Sequence, residues 1–276
     1  NQAVGSIIKR YETAKAHRSS WEQHWKECYE YALPQREVFN EHSPGKKKNT
    51  RIYDSTALIA TQRFASRLQS VLVPPFKKWA KLSAGSAVPK NQQTKIDTQL
   101  ESTTDTLFSY INNSNLATEA NEAFLDLAVG TGALLLEEGE GEELLRFKAV
   151  PLKQLIVEDG PSGTVENVFR DHSVAARDIE RIWPKGKASE AVQKLLTENP
   201  DKQIHIVEAT IWDDKEKQYS FVVIESATKH VVFEDYFEQS PWIVFRWSKV
   251  SGERYGRGPI MTALPDIKTA NEVVKF

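Results

Sequence analysis

The sequence has 276 residues, of which 40% are hydrophobic, enough for a real core in one large domain or two. Its 36 basic and 38 acidic residues give a formal net charge of −2, which argues against a sequence-reading DNA-binding protein that grips phosphates with a positive face. The single cysteine, Cys28, excludes an internal disulfide and suits a reducing compartment. No run of 18 apolar residues is present, and the first residues show no signal-peptide pattern.

Residues 4–32 are predicted to form one long helix that Pro34 ends. Its apolar positions step by four and three residues in alternation, and only Arg18 interrupts them: Ile7, Tyr11, Ala14, Trp21, Trp25, Cys28 and Ala32. This seam is either a coiled-coil or intersubunit contact, or the face of an amphipathic helix that packs on its own domain, and we favour the second. Cys28 lies on the seam, so we interpret it as a small buried hydrophobe and not as a nucleophile.

A polar stretch at 41–51 is predicted to be a surface loop with four cations, Lys46, Lys47, Lys48 and Arg51. Contact with DNA phosphates or a partner is one interpretation, and a solvated charge run is the favoured one. Asp54 is then predicted to be the N-cap of a helix that ends at Pro74-Pro75. In that helix Arg63 and Arg67 share one stripe without acidic neighbours in sequence, so they would reach acids elsewhere in the fold or on another subunit.

Helical periodicity continues at 92–111 and 116–129, and after Gly130 the pattern changes to short β-branched runs. Strands are predicted at 133–138, 144–150, 155–158, 165–169, 203–212, 219–225, 230–233 and 242–247, with helical interruptions at 175–183 and 188–198. The fold class is therefore α+β, a helical region followed by a mostly antiparallel β region and then the start of a long helix. The expected division is 1–130, 131–250 and 251–276.

The segment 251–276 is predicted to be a strand-to-helix hinge. Gly256 and Gly258, preceded by Tyr255, allow backbone angles that other residues avoid, and Pro259 suits a helix start. Helical spacing of apolar residues then persists to the last residue without a stop signal, so we expect this helix to continue.

No motif assembles a catalytic, cofactor or metal site. Gly130-Thr131-Gly132 follows a predicted helix and precedes a strand, the inverse of a dinucleotide-binding loop, and no Walker sequence occurs. His205 and Glu208 lie three apart on a predicted strand and so point to opposite faces. The acidic stretch 137–143 is interpreted as a flexible turn. Trp242 and Trp247 are predicted to face opposite sides of their strand. Either one of them contacts another subunit, or both are half-buried within one subunit.

Several segments, in this order, make the chain similar to the head-to-tail connecting (portal) proteins of short-tailed, T7-like bacteriophages. They are 51–56 (RIYDST), 64–75 (FASRLQSVLVPP), 130–138 (GTGALLLEE), 146–152 (RFKAVPL), 242–247 (WIVFRW) and the hinge 252–259 (GERYGRGP). The resemblance covers nearly all of the chain and implies that it corresponds to roughly the N-terminal half of a portal subunit.

The resemblance implies a structural protein and not an enzyme, with no cofactor. It implies a twelve-membered ring at a capsid vertex, with residues 1–130 and 131–250 as the helical and β-rich parts of the wing and 251–276 leading into the stem. The implied partners are further copies of the chain, a terminase motor, capsid and scaffolding proteins, tail adaptor proteins and double-stranded DNA, with no membrane. The implied locations are the virion and, during assembly, the host bacterial cytoplasm.

Two other functions stay open from the residues alone. One is a metal-dependent nucleic-acid-processing enzyme that uses the acidic turn, which a metal-dependent activity assay would reveal. The other is a different ring-forming head-tail adaptor.

Overall fold

The computed structural model describes residues 2–36, 52–139, 141 and 143–276. The helices of this part of the chain are α1 (Gln2–Ala32), α2 (Thr56–Leu72), α3 (Lys90–Asn113), α4 (Leu116–Val129), α5 (Ile179–Ile182), α6 (Glu190–Glu198) and α7 (Pro259–Lys275). The strands are β1 (Thr131–Glu138), β2 (Leu145–Ala149), β3 (Leu155–Asp159), β4 (Val165–Ala175), β5 (Gln203–Asp213), β6 (Gln218–Glu225), β7 (His230–Phe237) and β8 (Trp242–Arg246). Four helices thus precede the first strand, and the predicted α+β class is confirmed.

The strands form two sheets, and each observed strand pair is antiparallel. One sheet has the order β2-β1-β8, and the other has the order β3-β4-β5-β6-β7. In the smaller sheet, β1 in the centre pairs Leu134 with Ala149 of β2 and with Ile243 of β8. Strand β8 therefore returns to the start of the β region, next to the end of α4, and this position sets where the last helix begins.

Several element boundaries differ from the prediction, among them both ends of α3, the ends of β4 and β7 and the start of α2. Strand β4 extends to Ala175, where a helix was expected to begin, because β4 pairs with β5 as far as Ala175 opposite Gln203. Cross-strand pairing outweighs local helix propensity there. The N-cap position of α2 is Ser55 and not Asp54, although Asp54 Oδ1 accepts hydrogen bonds from the N–H and hydroxyl of Thr56 (3.2 and 2.8 Å). The capping carboxylate is thus one residue further from the helix than predicted.

The seam of α1 packs inside its own chain. Trp25, Cys28 and Ala32 are fully buried in the largest core cluster, and Tyr11 packs with Phe169 at a ring distance of 6.0 Å. The interruption at Arg18 is also an inward contact, because its guanidinium donates to the carbonyls of Lys153 (2.6 Å) and Leu155 (3.2 Å). The favoured interpretation of this helix, packing on its own domain, is confirmed.

The core consists of several clusters, and the largest of them joins the two sheets. The largest cluster joins α1, α4 and α7 to β1, β3 and β8, while a second one packs α5 and α6 against β5, β6 and β7. The loop before α7 reaches into the first cluster through Tyr255. None of the helices in the described ranges has an apolar stretch long enough to cross a membrane.

Candidate functional site

The predicted hinge lies between β8 and α7, and α7 begins at the expected residue. Gly258 occupies the N-cap with an extended backbone (φ −92°, ψ 166°), and Pro259 is the first helical residue. A proline is favourable at that position because it lacks the backbone N–H, which in any other residue would have no partner within the helix, and its fixed φ already suits the helix. We call residues 255–259 the hinge.

The glycines of the hinge are required by space and not by unusual backbone angles. Neither Gly256 nor Gly258 has a positive φ, contrary to the sequence-based expectation. Instead, a Cβ on Gly256 would lie 2.3 Å from the carbonyl oxygen of Gly130, and a Cβ on Gly130 would lie 2.0 Å from the carbonyl oxygen of Gly256. A Cβ on Gly258 would lie 2.2 Å from the carbonyl oxygen of Ala128. The hinge backbone thus crosses directly over the end of α4.

Three hydrogen bonds hold this crossing. The N–H of Gly258 donates to the carbonyl of Val129 (3.0 Å), and the N–H of Trp247 donates to the carbonyl of Gly130 (2.9 Å). The N–H of Gly256 donates to the hydroxyl of Thr131 at 2.9 Å in a buried position. Gly130 therefore ends α4, as predicted, and it is also the backbone on which the hinge rests. The partnership of 130–131 with 256–258 was missed, and its only sequence signal is that both segments are rich in glycine.

Tyr255 anchors the hinge in the core. Its side chain is 1% exposed and lies 4.9 Å from the ring of Trp25 and 5.9 Å from that of Trp21. Its hydroxyl accepts a hydrogen bond from the N–H of Val157 (3.2 Å), and burial raises the pKa of Tyr255 to about 12. The hinge is thereby tied to α1 and to β3 at one point.

Arginines on either side of Tyr255 fix the loop to its surroundings. Arg246 is paired with Asp159 at 3.0 Å and also donates to the carbonyls of Arg254 (2.9 Å) and Gly163 (3.1 Å). Arg257 pairs with Glu253 at 2.6 Å. Arg246 lies in a largely buried setting, where a multiply bonded guanidinium resists displacement more than a surface ion pair does.

Helix α7 is seated on the helical region as it leaves the hinge. Lys268 pairs with Glu27 of α1 at 2.6 Å. The buried side chain of Asn271 accepts hydrogen bonds on Oδ1 from the backbone N–H groups of Tyr53 (2.7 Å) and Asp54 (3.2 Å). The direction of α7 is therefore set at its start by glycine contacts and along its length by side chains.

The sequence was compared with known proteins. A family model described as bacteriophage head to tail connecting protein matches residues 4–276. The chain belongs to this family. Among the relatives, a probable portal protein of Bordetella phage BPP-1 and the portal protein of Salmonella phage epsilon15 are each 23% identical over 95% of this chain and 50% of their own length. The portal protein of Escherichia phage T7 is 22% identical over 94% of this chain and 49% of its own length. The chain thus spans about half the length of these relatives.

The other predicted contact residues of this family member are not brought to the hinge. Lys46, Lys47, Lys48 and Arg51 lie outside the described residues. Arg63 and Arg67 are exposed on α2, and neither forms an ion pair with any residue in the described ranges. Trp242 is buried and donates through Nε1 to the hydroxyl of Thr210 (2.9 Å), whereas Trp247 lies beyond the end of β8 and is 47% exposed.

Histidines and acids of the larger sheet form two structural networks on opposite faces, as the strand geometry predicted. On one face the carboxylate of Asp171 accepts hydrogen bonds from Tyr11 and Lys15 (2.6 Å each) and contacts His205. On the other face Glu208 contacts His172 (2.6 Å) and Arg170 (3.3 Å). These cross-strand partners were missed because they depend on the register of β4 with β5.

The described part of the chain shows no cluster of side chains that forms a metal-binding or nucleophilic centre. No group of three or more His, Cys, Asp or Glu residues suited to an ion occurs there. Cys28 is fully buried, and burial raises the pKa of its thiol to about 12, so it stays protonated at neutral pH. The arrangement of these side chains stabilises the fold.

Proposed function

We propose that this chain is part of a portal subunit. The subunit forms a closed, twelve-membered ring at a capsid vertex. The ring is the channel through which double-stranded DNA is packaged and ejected and the platform on which the tail is attached. The observation that carries the proposal is the family match, which spans residues 4–276 and so includes the hinge and α7. The three relatives named as portal proteins, each matched over most of this chain, support it.

Within the ring, we assign residues 1–130 to the helical part of the wing and 131–250 to its β-rich part. Residues 251–276 are the hinge and the start of the stem helix. The crossing of the hinge over Gly130 supports this division, because it joins the three segments at one point. In this arrangement Tyr255, Gly256, Gly258 and Pro259 fix the angle at which the stem leaves the wing.

The partners of the ring follow from its proposed place at a capsid vertex. The ring binds further copies of the subunit, capsid and scaffolding proteins, tail adaptor proteins and the terminase motor, which supplies the ATP hydrolysis. It is a component of the virion and assembles in the host bacterial cytoplasm. The protein is a conduit and not an enzyme, and it needs no cofactor.

Contacts with DNA are weak in this proposal, because a channel that passes a whole genome requires low affinity for any one sequence. The loop with Lys46, Lys47, Lys48 and Arg51 is the first candidate for such contacts. Duplexes of two unrelated sequences should bind the full-length protein equally, with an affinity that falls steeply as salt rises. Nanomolar, sequence-dependent binding at physiological salt would contradict the conduit and favour a DNA-processing protein.

Electron microscopy of the full-length protein tests the proposal. We expect rings with a central channel, and a homogeneous population of monomers or of closed two-fold dimers would contradict it. A nuclease assay with Mg²⁺ and Mn²⁺ on the same preparation separates the alternative enzyme. The portal proposal predicts no cleavage above a metal-free control.

A further inference from the structure

The charges of this chain are unevenly distributed. Residues 56–90 contain six basic residues and no Asp or Glu, although the whole chain has a net charge of −2. We call this stretch the basic segment. It consists of the helix α2, the connection from α2 to α3 and the first residue of α3, and its basic residues are Arg63, Arg67, Lys77, Lys78, Lys81 and Lys90.

The basic segment also exposes large apolar side chains. Val71 is 75% exposed and Phe76 is 81% exposed, and the others are exposed by 40 to 51%: Ile59, Leu72, Trp79 and Leu82. Phe76 moreover has a left-handed backbone (φ 59°), which is uncommon for a bulky residue and costs on the order of 1 kcal/mol. The turn at Phe76 therefore holds an aromatic ring toward solvent at a conformational cost.

Helix α3 holds the exposed connection in a defined conformation. The N–H of Leu82 donates to the hydroxyl of Thr104 (3.1 Å), and the N–H of Ala84 donates to Asp97 (2.7 Å). The ring of Trp79 packs edge-on against Phe108 at 5.4 Å. The basic segment is therefore an ordered surface, and its outward side chains are preorganised for binding.

Most cations of the basic segment lack an acidic partner in the described chain. Lys78 pairs with Asp105, whereas Arg63, Arg67, Lys77 and Lys81 form no ion pair with a described residue. In contrast, Arg18, Arg170 and Arg246 each contact a carboxylate within the chain. These three inward arginines are thus paired within the chain, whereas a cationic and apolar surface at the basic segment has no counterpart among the described residues.

An acidic surface of complementary character lies on another part of the molecule. Strand β7 is an outer strand of the five-stranded sheet, and Glu234, Asp235 and Glu238 are exposed there or next to its end. Tyr236 between them is 53% exposed. No Lys or Arg occurs from residue 230 to 245, and none of the three carboxylates forms an ion pair with a described residue. We call Glu234, Asp235 and Glu238 the acidic edge.

We propose that the basic segment of one copy docks on the acidic edge of a second copy. The lysines and arginines would face the carboxylates, and Phe76 and Tyr236 would supply the apolar contact in the middle of the interface. The two surfaces belong to different core clusters, the basic segment beside α4 and the acidic edge beside α5 and α6, and no hydrogen bond or ion pair observed in the described residues joins them.

This interface is head-to-tail, because the surfaces that meet are different. Such interfaces produce rings when the rotation between copies closes, whereas two-fold dimers use one self-complementary surface. The inference rests on the proposed ring and adds the pair of surfaces that builds it. A nucleic acid is a weaker fit for the basic segment, because a phosphate surface would leave Val71 and Phe76 without an apolar partner.

Charge reversal in the full-length protein tests the docking. One variant carries Arg67→Glu with Lys77→Glu, a second carries Glu234→Lys with Asp235→Lys, and a third combines all four changes. Lys9→Glu with Lys26→Glu, two exposed lysines of α1, is the matched control. Light scattering over a range of concentrations measures assembly, and circular dichroism with thermal melting shows that each variant is folded.

We expect each reversal pair to raise the concentration needed for half-maximal assembly at least tenfold, because like charges then meet across the interface. The control should change it less than twofold, and the fourfold variant should recover most of the loss. If the wild type forms rings that neither pair weakens, the docking is wrong and the portal proposal stands. If the wild type forms no ring, the portal proposal itself fails.

If the basic segment binds something other than a second copy, the same experiment gives a different outcome, which would overturn the docking. Loss of binding to duplex DNA, with assembly unchanged, would assign the basic segment to nucleic acid. Lower thermal stability of the reversal pair on the basic segment, without a change in assembly and without recovery in the fourfold variant, would show that another part of the same chain covers it.

Discussion

The hinge and the basic segment are opposite kinds of surface within one chain. At the hinge, the N–H groups of Gly256 and Gly258 and the hydroxyl of Tyr255 have partners in the same chain, and the glycines leave no room for a side chain. In the basic segment, all six basic residues and several large apolar side chains face solvent. The contacts of the hinge are thus made within a single copy, whereas the basic segment has charged and apolar side chains that the described part of the chain leaves uncovered.

The largest expected effect is at the glycine crossing. Gly258→Val should lower the free energy of unfolding by about 3 kcal/mol or more, because a side chain there meets backbone atoms that cannot rotate away. Gly256→Val should have a similar effect. Gly85→Val is the control, since a Cβ on Gly85 would have no neighbour within 4 Å. Chemical denaturation measures the unfolding midpoint of each variant. Equal midpoints for all three variants would contradict the close approach of the two backbone segments.

Removal of the aromatic anchor should have an effect of similar size. Tyr255→Ala is expected to cost about 3 to 5 kcal/mol of stability through the cavity that it leaves beside Trp25. Tyr255→Phe keeps the ring and loses the two hydrogen bonds of the hydroxyl, one accepted from the N–H of Val157 and a long one donated to the carbonyl of Leu155, so it should cost about 1 kcal/mol. Denaturant titration measures both, and a cost for the phenylalanine variant as large as that for alanine would contradict the packing role.

Acid should destabilise the larger sheet through its two carboxylate networks. Burial by itself raises the pKa of Glu208, but the hydrogen bond with His172 and the charge of Arg170 outweigh it and hold that pKa below its usual value. For Asp171, the hydrogen bonds from His205, Lys15 and Tyr11 likewise outweigh burial and lower the pKa. A lowered folded-state pKa gives stability that is present above the unfolded pKa, about 4, and is lost as pH falls through the folded value.

Asp171→Asn should therefore flatten the fall in stability between about pH 4 and pH 2. Thermal melts across that range measure the slope, with Asp214→Asn as an exposed control. A slope unchanged by Asp171→Asn would contradict the assignment of this carboxylate to the acid response.

The smallest expected effect on a single copy is in the basic segment. Arg63→Ala with Arg67→Ala should change the free energy of unfolding of dissociated subunits by less than about 0.5 kcal/mol, because neither guanidinium has an acidic partner among the described residues. The same change should weaken assembly of the full-length protein. A stability loss above about 1 kcal/mol would show that the arginines already serve the isolated fold.

The sequence predicted the elements better than it predicted the contacts between them. Amphipathic spacing placed α1, α4 and the inward seam with Trp25 and Cys28, because local periodicity alone decides which face is buried. The extension of β4 to Ala175 could not be predicted, because it depends on pairing with β5.

The same limit applied to the hinge. Pro259 marked the helix start from local chemistry, but the reason for Gly256 was expected to be a backbone angle and is in fact the approach of Gly130. Two segments more than a hundred residues apart give no sequence signal of their contact beyond their glycines. The absence of acidic residues among the six basic ones at 56–90 can be read from the sequence. Only the structure shows that the side chains of this stretch are exposed and form a candidate contact surface.

Hydrogen exchange of the full-length protein, measured in the assembled ring and in dissociated subunits, tests the contrast between the two regions most directly. We expect peptides that cover 255–259 and 128–131 to be equally protected in both forms, because their hydrogen bonds lie within one chain. Peptides from 71–84 should gain protection only in the ring. Equal exchange of 71–84 in both forms, or protection of the hinge that appears only on assembly, would contradict the account.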